Sequence, residues 1–158
     1  LMKYIPYFLL INLSSIVFAQ LPSGLKLAIQ NHEYLFEGGA DLLQWNKDST
    51  FVVGVGYVEI SNKNKRASSL RRIGTIKAKN EVIKFLDGSD ITSSRTIQTS
   101  ETSKIVNGEE IYSSFEKYIE TIREDTDSFV KGMKNVGGWY SEDRSQYFFA
   151  VARLILNN

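Results

Sequence analysis

Few residues in this chain have the types and spacing that chemistry needs. The run Gly54-Val55-Gly56-Tyr57-Val58-Glu59 invites comparison with the dinucleotide fingerprint, where glycines bring the backbone up to a pyrophosphate at a helix N-terminus. The third glycine is missing, and the next helical stretch begins about ten residues later, so no helix N-terminus stands beside this pair to receive a phosphate. Close packing explains the glycines better. His32 is the single histidine; Glu33 follows it, but no further ligand stands at metal-site spacing. Ser and Thr are plentiful, yet a nucleophile needs a base within reach, and the one histidine is remote in sequence. Carboxylate pairs suited to glycoside chemistry form in space and are invisible along the chain. With no Cys there is no thiolate metal site, no cysteine nucleophile and no disulfide framework. No catalytic residue, metal or cofactor is expected.

A second cluster is basic. Lys63, Lys65 and Arg66 are followed closely by Arg71 and Arg72, at the start of a long helical stretch. Such a patch could meet a phosphate, an acidic lipid or a polysaccharide. A solvated corner is the plainer explanation, since positive charge at a helix N-terminus opposes the helix dipole. Glu109, Glu110, Glu116, Glu120, Glu124, Asp125 and Asp127 balance it elsewhere, and opposed patches on one chain permit self-association.

These residues are positioned by one strand and one helix. Residues 51–60, FVVGVGYVEI, are rich in Val and aromatics and too short for a typical helix, which predicts a strand. Phe51, Val53, Val55 and Tyr57 alternate with Val52, Gly54, Gly56 and Val58. Both faces are apolar, as in an interior strand covered on two sides. From Arg66 to Asp87 there is no Pro, and Gly88 offers a stop. Ala67, Leu70, Gly74, Ala78, Val82 and Phe85 form one helical stripe whose middle is small. Small residues facing the strand glycines predict a close backbone approach. Ile76 and Ile83 lie opposite that stripe, where a second layer or a partner could meet them.

Before the strand, residues 20–50 read as a leader. Leu25, Ile29 and Phe36 have loose helical spacing, Gly38-Gly39 breaks it, and residues 41–45, DLLQW, make a short apolar piece expected to lie over the sheet as a partial lid. Trp45 is the candidate to line a pocket there. After the helix, residues 89–106 are dominated by Ser and Thr, and Asn107-Gly108 signals a hairpin that would pair Val106 with Glu109, Ile97 with Tyr118 and Arg95 with Glu120. The expected strand runs to about Arg123, with a short helix to Lys131 ended by Gly132. A rival reading makes Phe115, Ile119, Ile122 and Phe129 a helical stripe behind a capping box at Ser113. Residues 133–140 and 145–156 predict a second hairpin around a turn at 141–144. Trp139, Tyr140, Tyr147, Phe148 and Phe149 are expected mainly in its core.

The fold expected is α+β: one long helix on a mostly antiparallel sheet, in the order β-α-β-β-α-β-β, as a single domain over residues 51–156. Residues 2–20, MKYIPYFLLINLSSIVFAQ, read as a secretory signal, with Lys3 early, an apolar centre and Val17-Phe18-Ala19 as the cleavage site. The apolar run is short for a membrane span, so none is expected once the signal is removed. Cleavage after Ala19 takes 19 residues from 158 and leaves 139; losing Lys3 leaves 18 basic against 18 acidic side chains. A balanced surface gives no reason to expect nucleic-acid binding.

Taken together, the exported leader, Val53-Gly54-Val55-Gly56, a long helix with Ala67 and Ala78-Lys79, the Ser/Thr-rich ribbon, Gly132, Trp139 and Tyr147-Phe148-Phe149-Ala150-Val151 resemble the Lpp-twenty class of bacterial envelope lipoproteins. The amino-terminal domain of flagellar assembly protein T is similar. The resemblance covers about residues 50–156 and rests on order and spacing. It implies a small α+β domain with a helix packed on an antiparallel sheet, and a cell-envelope role without catalysis. The lipidated Cys of those lipoproteins has no counterpart here, and Ile73, Gly74 and Ile76 stand where more Ala is expected. The function expected is that of an exported, periplasmic or secreted, non-catalytic domain acting through protein contacts in the envelope. The alternatives are a small-ligand carrier or hydrolase with a pocket between leader and sheet near Trp45, or an anion-binding module using Lys63, Lys65, Arg66, Arg71 and Arg72.

Overall fold

A computed structural model describes residues 20–63, 65–88 and 119–156. The organising strand is β2 (Ser49–Glu59). It is central, with β1 (Gly39–Asn46) on one side and β4 (Gln146–Leu156) on the other. The second edge is β3 (Lys134–Tyr140), and all pairings in the order β1-β2-β4-β3 are antiparallel. With helices on both faces, the fold is α+β.

Central placement explains why β2 and β4 are apolar on both faces. Val52 and Val58 of β2, with Tyr147, Phe149, Val151 and Ile155 of β4, are buried beneath helix α2 (Ala67–Gly88). Phe51, Val53 and Val55, with Phe148, Ala150 and Ala152, are buried on the opposite face. Helix α1 (Leu25–Gln30) and the turns after it cover that second face with Leu25, Ile29 and Leu35. Fully burying each such side chain contributes roughly 1.5–3 kcal/mol.

Helix α2 meets the sheet along Leu70, Gly74, Ala78, Val82 and Leu86, all buried. The expected stripe holds through its middle but follows strict four-residue steps, so Leu86 takes the place of Phe85, which is half-buried, and Ala67 is exposed. A Cβ on Gly54 would collide with the Ala78 carbonyl oxygen and lie 2.5 Å from Val82 Cγ2. One on Gly56 would strike the Ala78 amide nitrogen and lie 2.7 Å from the Gly74 carbonyl oxygen. Gly74 in turn sits against Phe149, whose Cβ would be 2.7 Å from an added methyl. The helix backbone therefore rests on the strand backbone.

Three expectations require correction. Residues 41–45 are not a lid over the sheet; they lie within β1, with 41–44 paired to residues 51–53 and Thr50 of β2 and Trp45 at a register shift. The boundary drawn at residue 51 falls inside this hairpin. Its turn is built by Asn46, whose side-chain oxygen accepts from the Asp48 amide at 2.9 Å and the Ser49 hydroxyl at 2.6 Å. Gly38 and Gly39, at φ 104° and 121°, redirect the chain from the α1 layer into β1 through backbone that favours glycine. Second, residues 119–123 are helical, not strand, and the pairing of Glu120 with Arg95 is excluded on the Glu120 side. The rival stripe reading is correct there, since Ile119, Ile122 and Phe129 are all buried in the α2-side core. Third, the order of elements begins α1-β1-β2-α2, so a helix and an extra strand precede β2.

The short helix before Gly132 is present as α3 (Thr126–Lys131), capped by the Asp125 carboxylate, which accepts from the Ser128 amide at 3.0 Å. The hairpin around 141–144 is also present. The Asn107-Gly108 hairpin and its partners Val106, Glu109, Ile97 and Tyr118 lie outside the described residues, as do residues 2–19.

Candidate functional site

The glycine pair is not a phosphate cradle. Gly54 and Gly56 are buried and filled from above by the middle of α2, at Gly74, Ala78 and Val82. The helix that approaches them presents its flank, so no row of free amide groups faces the pair. The close-packing expectation is correct.

Trp45 is at the end of β1, a little more than a third exposed. Its ring meets Phe51 edge to face at 6.5 Å, and a Cβ on Gly24 would lie 3.3 Å from its Cη2. It packs across the end of the α1 layer. Between α1 and the sheet, where a pocket was the alternative expectation, Leu25, Ile29, Leu35, Leu43, Phe51, Val53 and Val55 interlock as one buried cluster.

His32 is half-buried at the end of the α1 segment; its Nδ1 accepts from the Tyr34 amide at 3.4 Å and its ring meets Tyr34 edge to face. Among the described residues no group of three His, Asp or Glu side chains could hold a metal ion. The Asp143 carboxyl stands in the β3–β4 turn. Hydrogen bonds from the Ser141 hydroxyl at 2.7 Å, the Ser145 amide at 3.0 Å and the Ser145 hydroxyl at 2.8 Å lower it to about 2. An acid held so low is ionised at neutral pH and serves the turn.

The basic residues fall together. Lys63 and Lys65 lie in the turn after β2, Arg66 immediately precedes α2, and Arg71 and Arg72 stand on its first two turns; all five are exposed. Lys77, also exposed, and Lys79, half-buried, extend the patch along the helix, and the first turn of α2 carries no acidic residue. Lys77 places its ammonium 5.3 Å from the centre of the Tyr57 ring. Sequence reading missed Lys77 and Lys79 as members of the patch, although Lys79, seven residues from Arg72 and three from Ile76, falls on the same helix face and was the available signal.

Two further surfaces emerge from the structure. Tyr57, Phe148 and Trp139 form a row across three strands in register, with ring centres 6.1 and 5.7 Å apart. Phe148 is buried, Trp139 half-buried and Tyr57 exposed. Leu27, Tyr34 and Phe36 are exposed on the segment that covers the second face, Leu27 at 63%, and Trp45 is exposed at the end of β1. Leu27 was legible as the residue on α1 turned away from Leu25 and Ile29.

Comparison with protein-family models, curated proteins and solved structures finds no match to this chain.

Proposed function

We propose that this chain is an exported, non-catalytic domain of the bacterial cell envelope that works by binding another protein, as its resemblance to the Lpp-twenty class implies. One observation carries the reading. Of seven large apolar side chains exposed among the described residues, Leu27, Tyr34, Phe36 and Trp45 all come from residues 27–45, whereas the groups able to do chemistry stay apart. Exposed apolar side chains scattered singly need no explanation, whereas an apolar patch of several marks a contact surface, and their concentration within residues 27–45 supports that reading. Aromatic residues there supply large contact area with few torsions to freeze.

The test is capture from the envelope fraction of the source cells, with wild type beside a Leu27→Asp, Phe36→Asp variant whose circular dichroism is unchanged. The expected result is a protein crosslinked at stoichiometric yield to the wild type and reduced at least tenfold with the variant. Equal capture by both forms, or no specific crosslink to either, contradicts the proposal.

A further inference from the structure

Residues 60–80 contain seven Lys or Arg and no Asp or Glu. The rest of the chain holds 12 basic against 18 acidic side chains, so the positive charge is concentrated in this stretch. Around α2 the sheet-facing positions Leu70, Gly74 and Ala78 are buried, while Arg71, Arg72 and Lys77 are exposed and Lys79 is half-buried; Arg72, Ile76 and Lys79, at steps of four and three, share one outward face. No ion pair within the described residues neutralises them. The ion pair that α2 does make, Lys84 to Glu81 at 2.7 Å, lies beyond the patch. Within the patch, Ile76 is 52% exposed, one turn from Arg72 and three residues from Lys79.

We infer that this face of α2 adsorbs to a membrane surface bearing anionic phospholipid headgroups, with Arg71, Arg72 and the neighbouring lysines on the phosphates and Ile76 dipping into the interface. Charge alone would suit any polyanion. The exposed Ile among the cations favours lipid, since a headgroup layer takes both charge and a shallow apolar side chain, and a soluble polyanion takes only the charge. The helix is 22 residues long, so its basic half presents roughly 20 Å of contact at 1.5 Å per residue. It would lie on the surface, for no described helix is long and apolar enough to cross a membrane. The surface is also separate from Leu27, Tyr34 and Phe36, which lie on the α1 segment over the opposite face of the sheet, and from Trp45, which packs against Phe51 of that face. Membrane adsorption and protein binding can therefore fail independently.

The experiment is flotation of the protein, in the form that expressing cells accumulate, with vesicles of phosphatidylcholine alone or mixed with phosphatidylglycerol. Wild type is expected to float only with the mixed vesicles and to be released by salt, because screening shortens the reach of exposed charges. Arg71→Glu, Arg72→Glu should lower partitioning by more than about tenfold, since each cation near such a surface is worth roughly fivefold. Ile76→Ser should lower it severalfold. Lys47→Glu, Lys131→Glu makes the same change in net charge away from the patch and should stay within about twofold of wild type. Circular dichroism checks that each variant is folded. Failure to float with phosphatidylglycerol, or an equal loss in the Lys47, Lys131 variant, overturns the inference. So does an Ile76→Ser variant that behaves as wild type while immobilised heparin retains the protein with the same salt dependence, which would assign the patch to a soluble polyanion.

Discussion

Arg153 shows how one side chain can serve a sheet and a helix together. It stands on β4 opposite Val52, and its Nη1 donates to the carbonyl oxygens of Ser128 at 3.1 Å and Phe129 at 2.7 Å. The guanidinium also lies 4.5 Å from the centre of the Phe129 ring. Those carbonyls belong to the last turn of α3, where they also accept from the Gly132 amide and the helix dipole favours a cation. Arg123 does the same for α2, donating from Nε to the Leu86 carbonyl at 2.7 Å. Replacing Arg153 with Met keeps most of the apolar contact and removes the donors. Arg153→Met should lose about 1–2 kcal/mol in urea unfolding, with hydrogen exchange of the α3 amides accelerated more than that of β2. Unchanged stability and exchange would show that the cap contributes nothing. No sequence pattern announces such a contact, because it joins positions 24 and 25 residues apart through tertiary geometry.

At the scale of elements, the β3–β4 hairpin turn is set by its side chains. Asp143 gathers hydrogen bonds from Ser141 and Ser145, and the Ser141 hydroxyl in turn accepts from the Gln146 amide at 3.0 Å. Arg144 takes the left-handed position at φ 57°. The carboxyl sits at about 2 in the folded chain against an ordinary 3.8, so the folded state binds this proton more weakly than the unfolded one. Its contribution is then complete above the ordinary value and lost as pH falls through about 2. Asp143→Asn should melt below wild type at neutral pH, and the gap should close as pH falls from about 5 to about 2. A gap independent of pH would contradict this role for the carboxylate.

The same scale shows what the sequence made legible. Ser141-Glu142-Asp143-Arg144 between two apolar runs marked this turn; β2 and β4 were readable as short runs rich in Val and aromatics and apolar on both faces, and α2 from a stripe at three- and four-residue steps. The β1 strand was harder to see: Asp41 is buried within it while Gln44, Trp45 and Asn46 are exposed, so its alternation breaks partway. The turn joining it to β2 relies on the Asn46 side chain, without the Asn-Gly pair that signals a hairpin. Residues 119–123 misled for another reason: the three-residue step from Ile119 to Ile122 suits a helix, but the Asn107-Gly108 hairpin signal outweighed it, and burial of both in the α2-side core decides for helix.

Across the whole molecule, one four-stranded sheet separates two apolar layers, and the two strands that face both ways, β2 and β4, hold them together. The candidate surfaces were partly visible in the sequence. Lys63, Lys65, Arg66, Arg71 and Arg72 could be read as a cluster, but their freedom from carboxylate partners among the described residues required the fold. The exposure of Tyr34 and Phe36 beside the buried Leu35 likewise depends on how the turns after α1 settle on the sheet. Everything outward rests on α2 being seated with its backbone on that of β2, which turns the basic side away from the sheet and fills the place a nucleotide would need. Urea unfolding of Gly56→Ala beside wild type tests that seating directly. The expected result is an unchanged dependence on urea with a loss of about 2–3 kcal/mol, because the new methyl meets helix backbone that cannot yield as a side-chain tip would. Stability within about 0.5 kcal/mol of wild type, the range of an ordinary surface change, would contradict it.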